Sequence, residues 1–357
     1  MALQRASQDF LRQLLDTPGP SGFETAPARV WRQEAETFAD EVHADINGNA
    51  VAVVNPGGTP RVMLTGHIDE IGLMIVHVDD DGFLYFSAIG GWDPQVLVGQ
   101  RVVIAARKGM VPGVIGRKAI HMMKGDEKDK VAKVTDLWID IGAKKKKDAL
   151  AQVQVGDPAV LDTRVLDLPN GRIVSRSIDN RIGAFVVLEA LRRLARRPPK
   201  AAVHAVAATQ EEIGWFGGGA RASAVGIDPA VAIVVDVTHA TDYPNVDKKE
   251  VGDFKIGSGP VLSRGSAVNP KVFELLAATA AKEKIPYSVQ AAPKDTGTDA
   301  DSIHTAHRGI PTGLVSVANR YMHSPNEMVD TRDLDRAAEL LAAFARRVTP
   351  KTDFVPK

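Results

Sequence analysis

Hydrophobic and polar positions change periodicity twice along this chain. Phe10, Leu11, Leu14 and Leu15 stand among polar residues at helical spacing, which predicts a helix over 8–16 stopped by the Gly- and Pro-rich run 17–22. A second helix is predicted over 26–38, and the short apolar runs 51–54 and 62–64, bounded by Gly, Pro and Asn, read as strands. From Ile71 to Asp162 long helical periodicity is missing. Strand-like runs replace it at 73–78, 83–88, 102–105, 137–141 and 153–161, with 79–82 as a turn, so this stretch reads as a β-rich insert. After Thr163 the texture returns, with helices over 182–195, 270–282 and 334–347 and strands over 202–207, 230–235 and 311–317. The lysine run 144–147 reads as a solvated loop and the tail after Val348 as frayed.

Strands alternating with helices imply an α/β fold with a mostly parallel sheet and helices on both faces. The simplest arrangement is a core of residues 1–70 and 163–357 interrupted by the insert at 71–162. At 357 residues and 44% hydrophobic, the chain can bury a large core. Lys+Arg and Asp+Glu number 44 each, a balance that argues against a nucleic-acid coat or a polybasic membrane anchor. There is no cysteine, which excludes disulfides, thiolate metal sites and cysteine nucleophiles. No stretch is apolar for the roughly 18 residues a membrane span needs, and the N-terminus lacks the uninterrupted apolar core of a signal peptide. The expected setting is the cytoplasm.

Several apolar runs end in a His, Asp or Glu. The run at 62–65 leads into His67, Asp69 and Glu70, and the run at 203–208 into Glu211 and Glu212. The run at 232–235 leads into Asp236, and the run at 314–317 reaches His323 after a short loop. Asp179 lies just before the helix at 182–195. Open α/β sheets bind ligands outside the carboxyl ends of their strands, so these groups are expected to converge. Two imidazoles and several carboxylates without thiols suit Zn²⁺, Co²⁺ or Mn²⁺. With His67, Asp179, Glu212, Asp236 and His323 as ligands, three carboxylates against two divalent cations leave about +1, which a bridging hydroxide would neutralise. Asp69, two residues after His67, would share its face in an extended segment and hydrogen-bond its second ring nitrogen. Glu211 and Glu212 offer one ligand and one free base, and the residues alone leave open which is which.

Plainer uses exist for each group. Asp179 could cap a helix, and Glu211-Glu212 could be a surface pair. His43, His77, His121 and His204 read as structural or solvated, while His239, His304 and His307 fall near the proposed loops. Phosphate-loop, zincin and nucleophile-elbow motifs are absent.

The strings TPGPSGFE, GHIDEIGLMI, SIDNRIG, ATQEEIGWFGGGAR, VVDVTHATD and MHSPNEMVD occur in this order over nearly the whole chain. Together they resemble the tetrahedral (TET-type) aminopeptidases, a family of glutamyl and deblocking aminopeptidases with some members named endoglucanases. The resemblance implies a di-zinc exopeptidase-like α/β domain interrupted by a small PDZ-like β domain used in self-association. It implies that Asp179 bridges two divalent metal ions, that His67 and Asp236 complete one and Glu212 and His323 the other, and that Asp69 orients His67. It makes Glu211 the general base for a metal-bridged water that cleaves the N-terminal residue from peptides. It also implies dimers assembled into a dodecamer with an internal cavity. The chain departs from the family pattern at 213–219 and at Ala318-Asn319, both expected near the substrate side chain. The alternative is a related di-metal amidohydrolase, a deacylase or carboxypeptidase. An inactive scaffold and a glycoside hydrolase fit the paired imidazoles and acids less well.

Overall fold

A computed structural model describes residues 3–214 and 218–357. Helices α1 (Arg5–Asp16) and α2 (Thr25–Ala35) lead to strands β1 (Glu41–Ala44), β2 (Ala50–Val54) and β3 (Arg61–His67). Next come β4 (Gly72–Val78), β5 (Leu84–Ile89), β6 (Arg101–Ala106), β7 (Gly109–Arg117), β8 (Leu137–Asp140), helix α3 (Lys146–Leu150) and β9 (Pro158–Leu161). Strands β10 (Leu166–Leu168) and β11 (Arg172–Ser175), helix α4 (Ile178–Ala195), β12 (Ala202–Ala208), α5 (Gly218–Ile227) and β13 (Val231–His239) follow. The chain ends through α6 (Lys248–Val251), β14 (Val261–Gly265), α7 (Pro270–Glu283), β15 (Ser288–Ala292), α8 (Ala300–Ile303), β16 (Thr312–Asn319), β17 (Glu327–Asp330) and α9 (Thr331–Arg347).

The main sheet has the order β1-β2-β12-β3-β13-β16-β14-β15. Its centre, β12-β3-β13-β16, is parallel throughout, while β1-β2, β2-β12 and β14-β16 are antiparallel. Alternate side chains of the central strands enter two separate cores. Val62, Leu64, Ile233 and Val235 pack with α1, α2, α4, α7 and α9 on one face. Met63, Val206, Ala232 and Val234 pack with α5 and α8 on the other. The strand-to-helix alternation therefore yields the expected α/β layers around a mixed but mostly parallel sheet, with β14 and β15 also parallel to each other.

Strands β4–β9 close into a barrel in the order β4-β5-β8-β7-β6-β9 around Leu73, Ile75, Val102, Ile104 and Ile139. Because β9 pairs with both β4 and β6, the barrel has no open edge, and its form is not clearly that of a PDZ domain. Local pattern does not mark strand β7, since Gly109, Pro112, Gly113 and Gly116 interrupt its alternation. The expected strand at 153–161 shrinks to β9, because 154–157 make the turn that closes it, with Gln154 N donating to Asp157 Oδ2 at 2.9 Å. Lys146 and Lys147 open α3 and stay exposed. The C-terminal tail is docked rather than frayed: Phe354 is buried in the larger core and its carbonyl accepts from Asn269 Nδ2 at 3.0 Å. Among the described residues no helix is long and apolar enough to cross a membrane.

Candidate active site

The carboxyl ends of β12, β3, β13 and β16 open onto one cavity of about 740 Å³. His67 is the last residue of β3. The parallel register pairs Thr65 with Val234, and two residues on along each strand His67 and Asp236 share a level and a face. Glu211 and Glu212 lie on the loop after β12, and His323 on the loop after β16. Gln210 and His323 hold φ of 63° and 59°, so both loops turn through the left-handed region beside the site.

Asp179 comes from the opening of α4, but it does not cap that helix. Ser177 occupies the cap position, and Asp179 (φ −78°, ψ 106°) and Asn180 are non-helical, so the Asp179 side chain turns toward the strand ends. Asn180 fixes this opening: its Nδ2 donates to the Val235 carbonyl at 2.7 Å and its Oδ1 accepts from Gly183 N at 3.0 Å. The approach of α4 to β3 is backbone on backbone. A Cβ on Gly66 would stand 2.4 Å from the Gly183 carbonyl carbon, so this crossing requires glycine.

The seven side chains singled out in the sequence come together here. His67 Nε2 lies 3.2 Å from Asp179 Oδ1, 3.6 Å from Glu211 Oε2 and 3.8 Å from Asp236 Oδ1. His323 Nε2 lies 3.4 Å from Asp179 Oδ2 and 3.3 Å from Glu212 Oε2. Ligand atoms of His67, Asp179 and Asp236 form one group within 4.8 Å, and those of Asp179, Glu212 and His323 form a second. Asp179 is common to both, and Glu211 belongs to neither. The open choice between the adjacent glutamates thus has a geometric difference beneath it.

Asp69 is enclosed and does more than face His67, whose Nδ1 is 3.2 Å from its Oδ1. Its Oδ1 also accepts from Glu211 N at 3.2 Å, and its Oδ2 from Glu212 N at 3.1 Å and Ser21 Oγ at 2.7 Å. Two further acids, not singled out in the sequence, act similarly. Glu327 accepts from Asp179 N and His323 N, each at 2.9 Å, and Glu24 accepts from Gln210 N at 3.1 Å. Glu70 is bound by Arg176 at 2.5 Å and Arg181 at 2.8 Å, which anchors the segment around Gly19 beneath the site.

The charge balance within this cluster is unfavourable without cations. Burial pushes Glu212 up to about 7, with Asp179 adding to the effect. Burial likewise pushes Asp236 and Glu211 well above the usual carboxylate range, with Asp179 acting on the first and Asp236, Asp299 and Glu212 on the second. Hydrogen bonds that His323 donates to Asp179 and Glu212 push its imidazole up to about 11. Burial opposes charge on His67, but Glu211, Asp179 and Asp69 outweigh it and hold the imidazole well above its ordinary value. Glu212 Oε1 is buried with no hydrogen-bond partner among the described residues. Crowded carboxylates, an orphaned carboxylate oxygen and two imidazoles aimed at shared acids fit a pair of divalent cations with N/O ligands.

Other expectations separate here. His239 lines the cavity, whereas His304 Nδ1 faces the Ala300 carbonyl at 3.1 Å. Ala318 and Asn319 are enclosed within the fold and do not reach the cavity, which Met322 lines instead. In the unusual run 213–219, Trp215, Phe216 and Gly217 lie outside the described residues.

Residues 48–340 match the family model of the M42 glutamyl aminopeptidases. A lysyl aminopeptidase of Pyrococcus furiosus is 34% identical over 352 residues, covering 98% of this chain and 99% of that one. The solved TET aminopeptidase of a marine sediment thaumarchaeal archaeon superposes with a TM-score of 0.92 at 33% identity, over 97% of each chain. The TET1 peptidase of Pyrococcus horikoshii, which can assemble into a tetrahedron or a large octahedral shell, superposes with a TM-score of 0.84 at 28% identity, over 96% of this chain and 100% of that one. With its fold and nearly its full length shared with these proteins, the chain belongs to the M42 glutamyl aminopeptidase family and is a peptidase.

Proposed function

We propose that this protein is a metal-dependent aminopeptidase that uses two divalent cations to release the N-terminal residue of peptides. The observation that carries the reading is the pair of ligand groups sharing Asp179, with Glu211 beside His67 and part of neither group. His67, Asp179 and Asp236 would hold one cation and Asp179, Glu212 and His323 the other. When bound, such cations supply Lewis acidity to the scissile carbonyl and lower the pKa of water at the site.

The chain's own groups do the rest. Glu211, with its carboxylate 3.6 Å from His67 Nε2, accepts the proton of the attacking water and returns it to the leaving amine. Asp69 faces the His67 ring at 3.2 Å and holds the backbone of both glutamates, so ligand and base keep one spacing. The catalytic unit comprises residues 1–70 and 163–357. The barrel unit at 71–162 carries self-association, supported by exposed apolar side chains at Met110, Val114, Ile120 and Met122, and the assembled particle is a closed shell like those of its relatives.

The test joins metal analysis to turnover. About two metals per chain, with leucyl p-nitroanilide hydrolysis lost on chelation and restored by Zn²⁺ or Co²⁺, is the expected result. Glu211→Gln should keep its metal and lose about 10²–10⁴-fold in kcat. Hydrolysis of acetylated but not free peptides would transfer the reading to a deacylase, and near-normal Glu211→Gln activity would remove Glu211 as the base.

A further inference from the structure

The barrel reaches the site through one turn. Strand β5 ends at Ile89, and Gly90 and Gly91 follow it. A Cβ on Gly91 would stand 3.2 Å from His323 Nδ1 and 3.4 Å from His323 Cε1. A Cβ on Gly90 would stand 3.5 Å from the Glu212 carbonyl oxygen and 2.5 Å from Ile71 Cγ2. Carbon packs at about 3.5–4.0 Å, so position 91 has no room for a methyl unless the imidazole yields. The two glycines are needed for different reasons. Gly90 holds φ of 75°, which the turn itself demands. Gly91 lies outside the left-handed region, so its backbone would accept another residue and only the neighbouring ring stands in the way.

The turn is fixed from the barrel side. Trp92 Nε1 donates to the Gly72 carbonyl at 2.9 Å, and Gly72 is pressed on Pro20, where a Cβ would stand 2.6 Å from Pro20 Cβ. The next residue, Ser21, donates to Asp69. The barrel turn and the segment that holds Asp69 therefore form one frame. The two imidazoles meet this frame differently. His67 is 1% exposed and has Asp69 behind its Nδ1. His323 is 36% exposed, and its contacts with Asp179 and Glu212 both run through Nε2. Glu327 holds the His323 backbone N–H, which leaves the ring its own side-chain torsions. What stands at the Nδ1 edge is Gly91. A half-exposed ring loses rotamer freedom when it takes up a ligand, and a rigid backbone wall removes part of that freedom beforehand.

We propose that Gly91 is a positioning residue of the active centre: its bare α-carbon seats the His323 imidazole so that Nε2 points at the group shared with Asp179 and Glu212, an inference that rests on the two-cation reading above. The barrel is then part of the metal site. Metal–nitrogen distances hold within about 0.2 Å, so a side chain at position 91 that displaces the ring further than this weakens that group and spares the group of His67, Asp179 and Asp236.

Metal release from the fully Co²⁺-loaded protein to a chromogenic chelator is followed in wild type, Gly91→Val, Gly91→Ala and the control Gly57→Val, whose position meets open space. His323→Ala identifies the release step that belongs to His323 as the one it abolishes. Gly91→Val is expected to weaken that step by about tenfold or more, with the other step and the melting temperature unchanged. Gly91→Ala, which adds a single methyl, is expected to fall between Gly91→Val and wild type, and it carries the measurement if the Val variant does not fold. Leucyl p-nitroanilide turnover by Gly91→Val should recover toward wild type as Co²⁺ is raised, which a disturbed fold would not do. Equal weakening of both steps overturns the proposal, as does retention within about twofold of wild type in both Gly91 variants or an equal loss in Gly57→Val. A wild type that holds a single cation, released more easily in Gly91→Val and not held by His323→Ala, would instead count against the two-cation reading alone.

Discussion

Asp69 accepts from the backbone of Glu211, the backbone of Glu212 and the hydroxyl of Ser21 while facing His67. A single enclosed carboxylate therefore sets the spacing between His67 and Glu211, the proposed ligand and base. Glu327 does the same on the opposite side, joining Asp179 N to His323 N. Glu327→Gln keeps the shape but turns an amide donor toward one of these N–H groups, so one ligand segment loses its anchor. The expected outcome is about 10–100-fold weaker metal retention at the group that Asp179, Glu212 and His323 are proposed to form, read by competition with a chelator. Unchanged retention would show that Glu327 does not position the ligands. At this scale the candidate ligands were legible and the acids that support their loops were not. A His or Asp at the end of an apolar run announces itself by position. Glu24 and Glu327 act on backbone N–H groups 186 and 148 residues away in sequence, and no local pattern marks an acid for that use.

At the scale of elements, the crossing of α4 over β3 decides where Asp179 sits. Gly66→Ala places a methyl against the Gly183 backbone, which cannot yield as a side chain would. It should cost about 1–3 kcal/mol of stability and lower metal content, as denaturant unfolding and metal analysis would read. Gly57→Ala, which meets open space, serves as the control, and equal behaviour of the two variants would contradict the account. The helix and strand runs of the core were readable because alternate side chains of each strand feed different cores. Strands β1, β7, β14 and β15 were not. Exposed positions fill much of β1, β7 and β15, and Gly and Pro break up β7, so their stability comes from neighbours in the sheets rather than from local pattern. Asp179 looked equally suited to capping a helix; only the non-helical turn at Asp179-Asn180 directs it into the site.

At the scale of the whole molecule, a parallel sheet centre gathers the ligand-bearing loops at one end while the closed barrel presents apolar side chains to the outside. If the barrel carries self-association, replacing Met110 and Val114 together by Asp should leave the fold intact and yield smaller particles by analytical ultracentrifugation. Particles of wild-type size would move the interface elsewhere. The sequence by itself determined which residues could serve as ligands, the absence of thiol chemistry and the α/β order of the core, because these follow from side-chain type and local periodicity. Only the tertiary structure decided the closed barrel, the docked tail, the acids that clamp the loops and the exclusion of Glu211 from both ligand groups. These depend on which distant backbones and carboxylates meet, and that is settled when the β12-β3-β13-β16 sheet and α4 pack together.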